Sequence, residues 1–210
     1  MKLPLTERVY QALRRDIITA HFKPGDGLTE QMLARRYHAS RTPVRQASAR
    51  AMQENLLRFV PNKGYFVNLI TIDQLSELYQ FRAIVESSCA ELAAKKEHAP
   101  EVLDRLKRFA IVKHQNGNRK SYERFIEADR NFHVGVAQLT RNAFLKKAVE
   151  ETRDSIDRLL HLAAAVSDDI VYLASHEEIY RAIRNRNPEQ ARKLMLEHVL
   201  ESKAKVLELI

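Results

Sequence analysis

The segment FIEADRNFHVGV, residues 125–136, places Asp129 and His133 four residues apart on a stripe that also carries Phe125, Phe132 and Val136. In a helix those positions share one face. That face is otherwise apolar, so a carboxylate and an imidazole are aimed into a core, where an unpaired charge costs several kcal/mol. The pair needs a partner. In YLASHEEIYRAI the inward set Leu173, His176, Tyr180 and Ile183 contains a histidine, and in EQARKLMLEHVL the set Ala191, Leu194, Met195 and His198 contains another. Three helices presenting these groups toward one interior would assemble three imidazole nitrogens and one carboxylate oxygen, and the missing partner is then a divalent cation. Nitrogen-rich ligation suits zinc first, with nickel, manganese or iron as alternatives. His21, His38, His98, His114 and His161 lack this company and read as surface or packing residues.

A second charged group sits on an inward stripe. In TIDQLSELYQFRAIVESSCAEL, Arg82 aligns with Leu75, Leu78, Val85 and Cys89. A guanidinium facing inward requires an anion. Glu86, one turn on, would make an internal ion pair. Alternatively, a metal with open positions beside an arginine fork would receive a small organic acid. Both readings stand on the sequence.

The elements that must position these residues are helices. Residues 72–210 break at HAP (98–100), QNGNRK (115–120), TRN (140–142), Val166–Asp169 and Asn187-Pro188. At the last break Asn187 can cap, Pro188 opens the helix and Gln190 can reach back. Six helices result, or seven if the segment 72–97 is divided. Five glycines, no tryptophan and 45% hydrophobic content fit a mainly α protein with a substantial core, and 210 residues leave room for two domains. One cysteine, Cys89, excludes an internal disulfide framework. The start MKLPLTERVYQ lacks the apolar core of a signal peptide, and the longest apolar run, LLHLAAAV, is too short for a bilayer. A cytoplasmic protein without membrane partners is expected.

Charge separates the first third from the rest. Residues 1–68 hold twelve Lys/Arg against five Asp/Glu, an excess of seven, whereas the remainder is balanced to within one. Such asymmetry marks a polyanion-binding module. Thr6 can cap a helix carrying Val9, Leu13 and Ile17 inward, and KPGDG (23–27) turns the chain. A short helix from Thr29 follows, then the turn HAS (38–40). A third helix begins at RTPVRQ, with Ser40 or Thr42 as cap and Pro43 in its first turn, and runs to about Glu54. Asn55 suits the left-handed stop position. LLRFVPNKGYFV alternates as a two-stranded ribbon about Pro61-Asn62-Lys63-Gly64.

Three helices and a basic-tipped hairpin make a winged helix-turn-helix, which sets the start of its last helix in the major groove. Here that start carries Ser40, Arg41, Thr42 and Arg45, with Arg50 further along and Lys63 and Gly64 at the wing tip. Arginine reads guanine edges and clamps phosphates.

Residues 5–68 resemble the DNA-binding domain of GntR-family bacterial transcription regulators, with S-R-T-P-V-R at 40–45 and P-N-x-G at 61–64. Ser48 and Ala51 stand where that family usually has leucine and Asn55 where it often has glycine, so thinner packing of the third helix is expected. Arg82 with Glu86, D-x-x-x-H at 129–133, H-x-x-I at 176–179 and M-x-x-H at 195–198 are similar to the FCD effector domain of the FadR subgroup. This resemblance implies a homodimer, a divalent metal on Asp129, His133, His176 and His198, a carboxylate effector near Arg82, and Asn142 as a polar residue beside the pocket.

The expected organisation is a winged helix-turn-helix over 1–68 and an all-helical metal- and ligand-binding domain over 72–210. The expected function is not enzymatic: a repressor-type regulator whose binding to a palindromic operator answers a small organic acid. Two other readings remain open on the sequence. A helical metal-dependent hydrolase would use the bound ion to activate water, although no second carboxylate or lysine accompanies the ligands as a base. A constitutive DNA binder would use the metal only as a structural element.

Overall fold

A computed structural model describes residues 3–113, 115, 118–164 and 176–208, and the expected break at Val166–Asp169, with Leu173 and His114, lies outside the described residues. The chain divides into two compact units, Met1–Thr71 and Ile72–Ile210.

The first unit runs α1 (Leu5–Ile18), β1 (Gly27–Leu28), α2 (Glu30–Arg36), α3 (Arg41–Gln53), β2 (Leu57–Val60) and β3 (Gly64–Val67). Its core is the inward stripe of α1 (Val9, Leu13, Ile17) closed by Leu33 of α2, by Val44, Ala47 and Ala51 of α3, and by Val67 of the wing. Ser48 and Ala51, which stand where the resembling family usually has leucine, are fully buried on the inner face of α3. Thr29 caps α2 by accepting from the Met32 N–H at 3.1 Å. Asn55 has φ +57°, the left-handed stop that follows α3.

Two local expectations change. α1 starts at Leu5 with Pro4 as its N-cap residue, and the Thr6 hydroxyl donates to Gln46 Oε1 at 3.1 Å instead of capping. The wing has three antiparallel strands, ordered β1-β3-β2. The third is only Gly27–Leu28, which satisfies the edge of β3 left open by the ribbon. Gly64 is fixed by that pairing: its φ is +94°, and a Cβ there would sit 2.9 Å from the Leu28 carbonyl oxygen.

The second unit consists, among the described residues, of six helices: α4 (Ile72–Ala94), α5 (Pro100–Ala110), α6 (Arg119–Leu139), α7 (Ala143–Ala164), α8 (His176–Arg184) and α9 (Pro188–Glu208). The long segment from Ile72 is a single helix. α4 and α9 lie antiparallel, tied by Tyr79 to Ser202 at 3.0 Å, by Lys203 to Ser76 at 2.9 Å and by Arg192 to Glu91 at 2.7 Å. Asparagines punctuate the bundle: Asn118 caps α6, Asn142 caps α7 and Asn187 caps α9, each accepting from a backbone N–H of the first turn. These stops set the rotation of α6, α7 and α9 about their axes, and so decide which side chains meet inside.

Candidate functional site

Four side chains converge in the second unit. α6 brings Asp129 and His133 on one face, α8 brings His176 as its first residue and α9 brings His198; their exposures are 3%, 1%, 5% and 3%. His198 Nε2 lies 3.1 Å from His133 Nε2 and 3.2 Å from His176 Nε2. Asp129 Oδ1 lies 3.2 Å from His176 Nε2 and 3.6 Å from His133 Nε2. One ligand atom from each residue falls within 4.8 Å of all the others.

Those separations fit a cation. An ion about 2.1 Å from each donor would space neighbouring donors by about 3.0 Å at right angles and about 3.4 Å tetrahedrally. His198 Nε2 stands within 3.2 Å of the Nε2 atoms of both other histidines, a crowding of nitrogen donors that a shared cation relieves. The donor set suits zinc or another late first-row ion.

The surroundings prepare each donor. His133 Nδ1 meets the Glu86 carboxylate, which leaves Nε2 for the cluster. Glu86 in turn accepts from Arg82 Nε at 2.6 Å. His176 stacks on Phe132 with ring centroids 4.3 Å apart, which fixes its plane. Asp129 gives Oδ1 to the histidines and Oδ2 to Arg153 Nη2. The same Arg153 nitrogen reaches Asp157 Oδ1 at 3.1 Å. Further out, Arg130 binds Asp157 Oδ2 at 2.5 Å and also Asp154.

Electrostatics agree with this division of roles. Burial pushes His198 well below its ordinary value, reinforced by His176 and His133, and burial also lowers His176. Both therefore favour the neutral form that binds metals. For His133 burial acts downward, but Glu86 and Asp129 outweigh it and raise the value. Burial alone would raise Asp129, yet Arg153 and the imidazoles hold it well below the usual carboxylate range. Glu86 is lowered in the same way by Arg82 and His133 against the cost of burial. Both carboxylates are charged in the fold.

Arg82, 1% exposed, realises the ion pair with Glu86, while its Nη1 has no hydrogen-bond acceptor among the described residues. Arg153, 0% exposed, keeps Nε and Nη1 in the same condition. Sequence reasoning missed Arg153 and Asp157, and saw Glu86 only as a counterion. The signal existed: Arg153 aligns with Val149, Ile156 and Leu160 on the buried face of α7, as Arg82 does on α4. Asn142, expected beside an effector, is exposed and spends its amide oxygen on the Phe144 and Leu145 N–H groups, at 3.0 and 3.2 Å. That cap explains its presence without a ligand.

In the first unit, Ser40 occupies the N-cap position of α3 without a side-chain bond to the helix, and Arg41 and Thr42 are its first two residues, all exposed. Arg45 is exposed and forms a two-pronged pair with Glu30, Nε to Oε1 at 2.9 Å and Nη2 to Oε2 at 3.1 Å. Arg50 turns toward α1, 3.6 Å over the Tyr10 ring and 2.8 Å from Glu7 Oε2, so it serves the packing of α1 on α3. Lys63 is exposed at the wing tip beside Gly64. Among the described residues no helix is long and apolar enough to cross a membrane.

Residues 5–67 match the family model of bacterial regulatory proteins, gntR family, and residues 77–201 match that of the FCD domain. The chain is 28% identical over 204 residues to the HTH-type transcriptional repressor RspR of Escherichia coli, covering 94% of this chain and 87% of that protein. It is 29% identical over 196 residues to the Nta operon transcriptional regulator of Aminobacter aminovorans, covering 92% and 90%. Among solved structures, E. coli McbR/YncC superposes with a TM-score of 0.78 at 21% identity, over 99% of both chains. A putative GntR transcriptional regulator from Rhodococcus sp. RHA1 superposes with a TM-score of 0.71 at 25% identity, over 97% of both.

Proposed function

The chain belongs to the GntR family of bacterial DNA-binding transcription regulators, with an FCD domain as its helical unit, and from that premise we propose a metal-dependent regulator whose operator affinity answers a small organic acid. Asp129, His133, His176 and His198 hold one divalent cation, zinc first among the candidates by donor chemistry. When bound, that ion supplies positive charge and a Lewis-acid contact for a carboxylate.

The remaining work falls to the protein. Glu86 orients His133 and Arg153 orients Asp129. Arg82 Nη1, buried and without an acceptor among the described residues, offers an N–H to an entering carboxylate. In the first unit the exposed start of α3, Ser40 with Arg41, Thr42 and Arg45, reads base edges in the major groove, and Lys63 contacts phosphate from the wing. A homodimer presents two such heads to a palindromic operator. To act as a switch, the acid must favour one arrangement of the dimer over another.

The observation that carries this reading is the convergence of Asp129 and three histidine Nε2 atoms, with buried Arg153 on Asp129 and buried Arg82 reaching His133 through Glu86. The test is operator titration by fluorescence anisotropy with metal-loaded and chelated protein, across a series of organic acids. An acid that changes affinity only in the loaded protein supports it. Operator affinity indifferent to every acid, with metal bound, would leave a constitutive binder with a structural ion.

A further inference from the structure

The wing carries an aromatic ring that the core does not use. β2 and β3 pair antiparallel, with Leu57 opposite Val67, Phe59 opposite Tyr65 and Val60 opposite Gly64. Residues two apart share a face of a strand, so Leu57, Phe59, Tyr65 and Val67 line one face of the ribbon. Leu57, Tyr65 and Val67 are buried in the core of the first unit, but Phe59 is 54% exposed. On the opposite face the Phe66 ring is covered, with the Arg58 guanidinium 5.1 Å above its centroid. The Phe59 ring meets Tyr65 with centroids 5.4 Å apart, and more than half of its surface stays open to solvent. β2 is moreover an edge strand of the sheet, where exposed apolar groups invite unwanted association.

The surroundings select the partner. Phe59 lies one residue pair below the turn that holds Lys63 and ends at Gly64. Its neighbour Tyr65 is within electrostatic reach of Arg45 and Glu30, in the first turns of α3 and α2. The ring thus stands between the start of α3 and the wing tip, in segments that expose Arg41, Arg45, Arg58 and Lys63. Positive charge on this scale beside an apolar ring favours a polyanion over a second apolar surface. A module that sets α3 in the major groove and reaches onward with its wing must cross the sugar-phosphate strand at the groove's edge. A phenyl ring gives no hydrogen bond to a phosphate, but it can lie flat on the C–H face of a deoxyribose. Sugar contacts fix position without carrying sequence, and an uncharged ring releases no counterion.

We propose that Phe59 is a DNA-contact residue whose ring packs on a deoxyribose of the strand lying between α3 and the wing tip, a role that rests on the start of α3 reading the major groove. The ring seats the wing on the duplex and adds affinity that depends neither on sequence nor on salt.

The test is fluorescence anisotropy with the full-length protein and two probes: a duplex selected from a randomised pool by the wild-type protein, and a shuffled duplex of the same composition. Phe59→Ala is expected to bind both about five- to tenfold more weakly, by the same factor and with the wild-type salt slope. Phe59→Leu should recover part of the loss. Phe59→Lys places an ammonium beside the phosphates and should steepen the salt slope by about one. All three variants should keep the wild-type fold by circular dichroism, since the ring lies outside the core. A loss confined to the selected duplex would mean that the ring reads a base edge, and would overturn the sugar contact. Wild-type affinity in Phe59→Ala together with a wild-type slope in Phe59→Lys would remove the ring from the interface while α3 still reads DNA. If an Arg41→Ala, Arg45→Ala double variant also binds both probes like wild type, the reading of α3 falls as well.

Discussion

Asp129 divides its carboxylate between two partners: Oδ1 faces His176 Nε2 at 3.2 Å, and Oδ2 meets the guanidinium of Arg153. The arginine therefore fixes which oxygen the cluster receives. Arg153→Lys keeps the charge but moves it on a thinner, flexible stem, so the single nitrogen that contacts both Asp129 and Asp157 is no longer held in place. Second-sphere losses of this kind weaken metal binding about 10–100-fold. Competition with a chromophoric zinc chelator measures it, and an unchanged dissociation constant would reduce Arg153 to a core ion pair.

Glu86→Gln removes the carboxylate from His133 Nδ1 and from Arg82 Nε together. Breaking a buried pair by deleting one charge costs about 3–5 kcal/mol, so the chelated protein should melt markedly lower, with part of the loss recovered on adding metal. Thermal unfolding with and without zinc checks both. A variant that melts like wild type in both conditions would show that Glu86 does not hold His133.

Arg82→Lys separates the acid from the metal. An ammonium keeps the charge beside Glu86 but cannot present a second parallel N–H to a carboxylate. Metal content should stay at the wild-type level while acid affinity falls about tenfold or more, or about 1.4 kcal/mol. Equal acid affinity in the two proteins would assign Arg82 wholly to its ion pair.

On the DNA side, Arg45 is pre-positioned by Glu30 in an exposed pair that contributes little to stability. Arg45→Ala should cost roughly 1–3 kcal/mol of specific operator binding, whereas Lys63→Ala should lower the salt slope by about one. Arg50→Ala should instead destabilise the fold by about 1 kcal/mol, since its guanidinium lies over Tyr10 and pairs with Glu7. Titrations at several salt concentrations, beside melting curves, distinguish the three. Operator binding unaffected in an Arg41→Ala, Arg45→Ala double variant would remove α3 from the interface.

Much of this architecture was legible in the sequence because local chemistry and tertiary packing agree. The stripes of α1 and α6, the helix start at Thr29, the cap at Asn187 and the left-handed stop at Asn55 all appear where residue type demands. The convergence of Asp129, His133, His176 and His198 was legible because a carboxylate or imidazole on an apolar stripe is conspicuous. β1 was not, since two residues carry no periodicity and Gly27–Leu28 pair only because β3 offers an open edge. Arg153 escaped notice because α7 also carries many surface charges, and only burial separates it from Lys147 or Glu151. Asn142, which the family resemblance sets beside the pocket, uses its amide oxygen to cap α7, a local role that residue type also allows.

The most direct measurement of the central claim is elemental analysis of the full-length protein, purified without chelator and re-equilibrated with zinc, beside His133→Ala and His198→Ala. The coordination argument predicts about one divalent ion per wild-type chain. It predicts that most of that ion is lost from either variant while helical circular dichroism is retained. Full occupancy in both variants, or a wild-type protein that takes up no ion, would mean that the three histidines and Asp129 are ordinary buried polar residues, and the account of the site would fall with them.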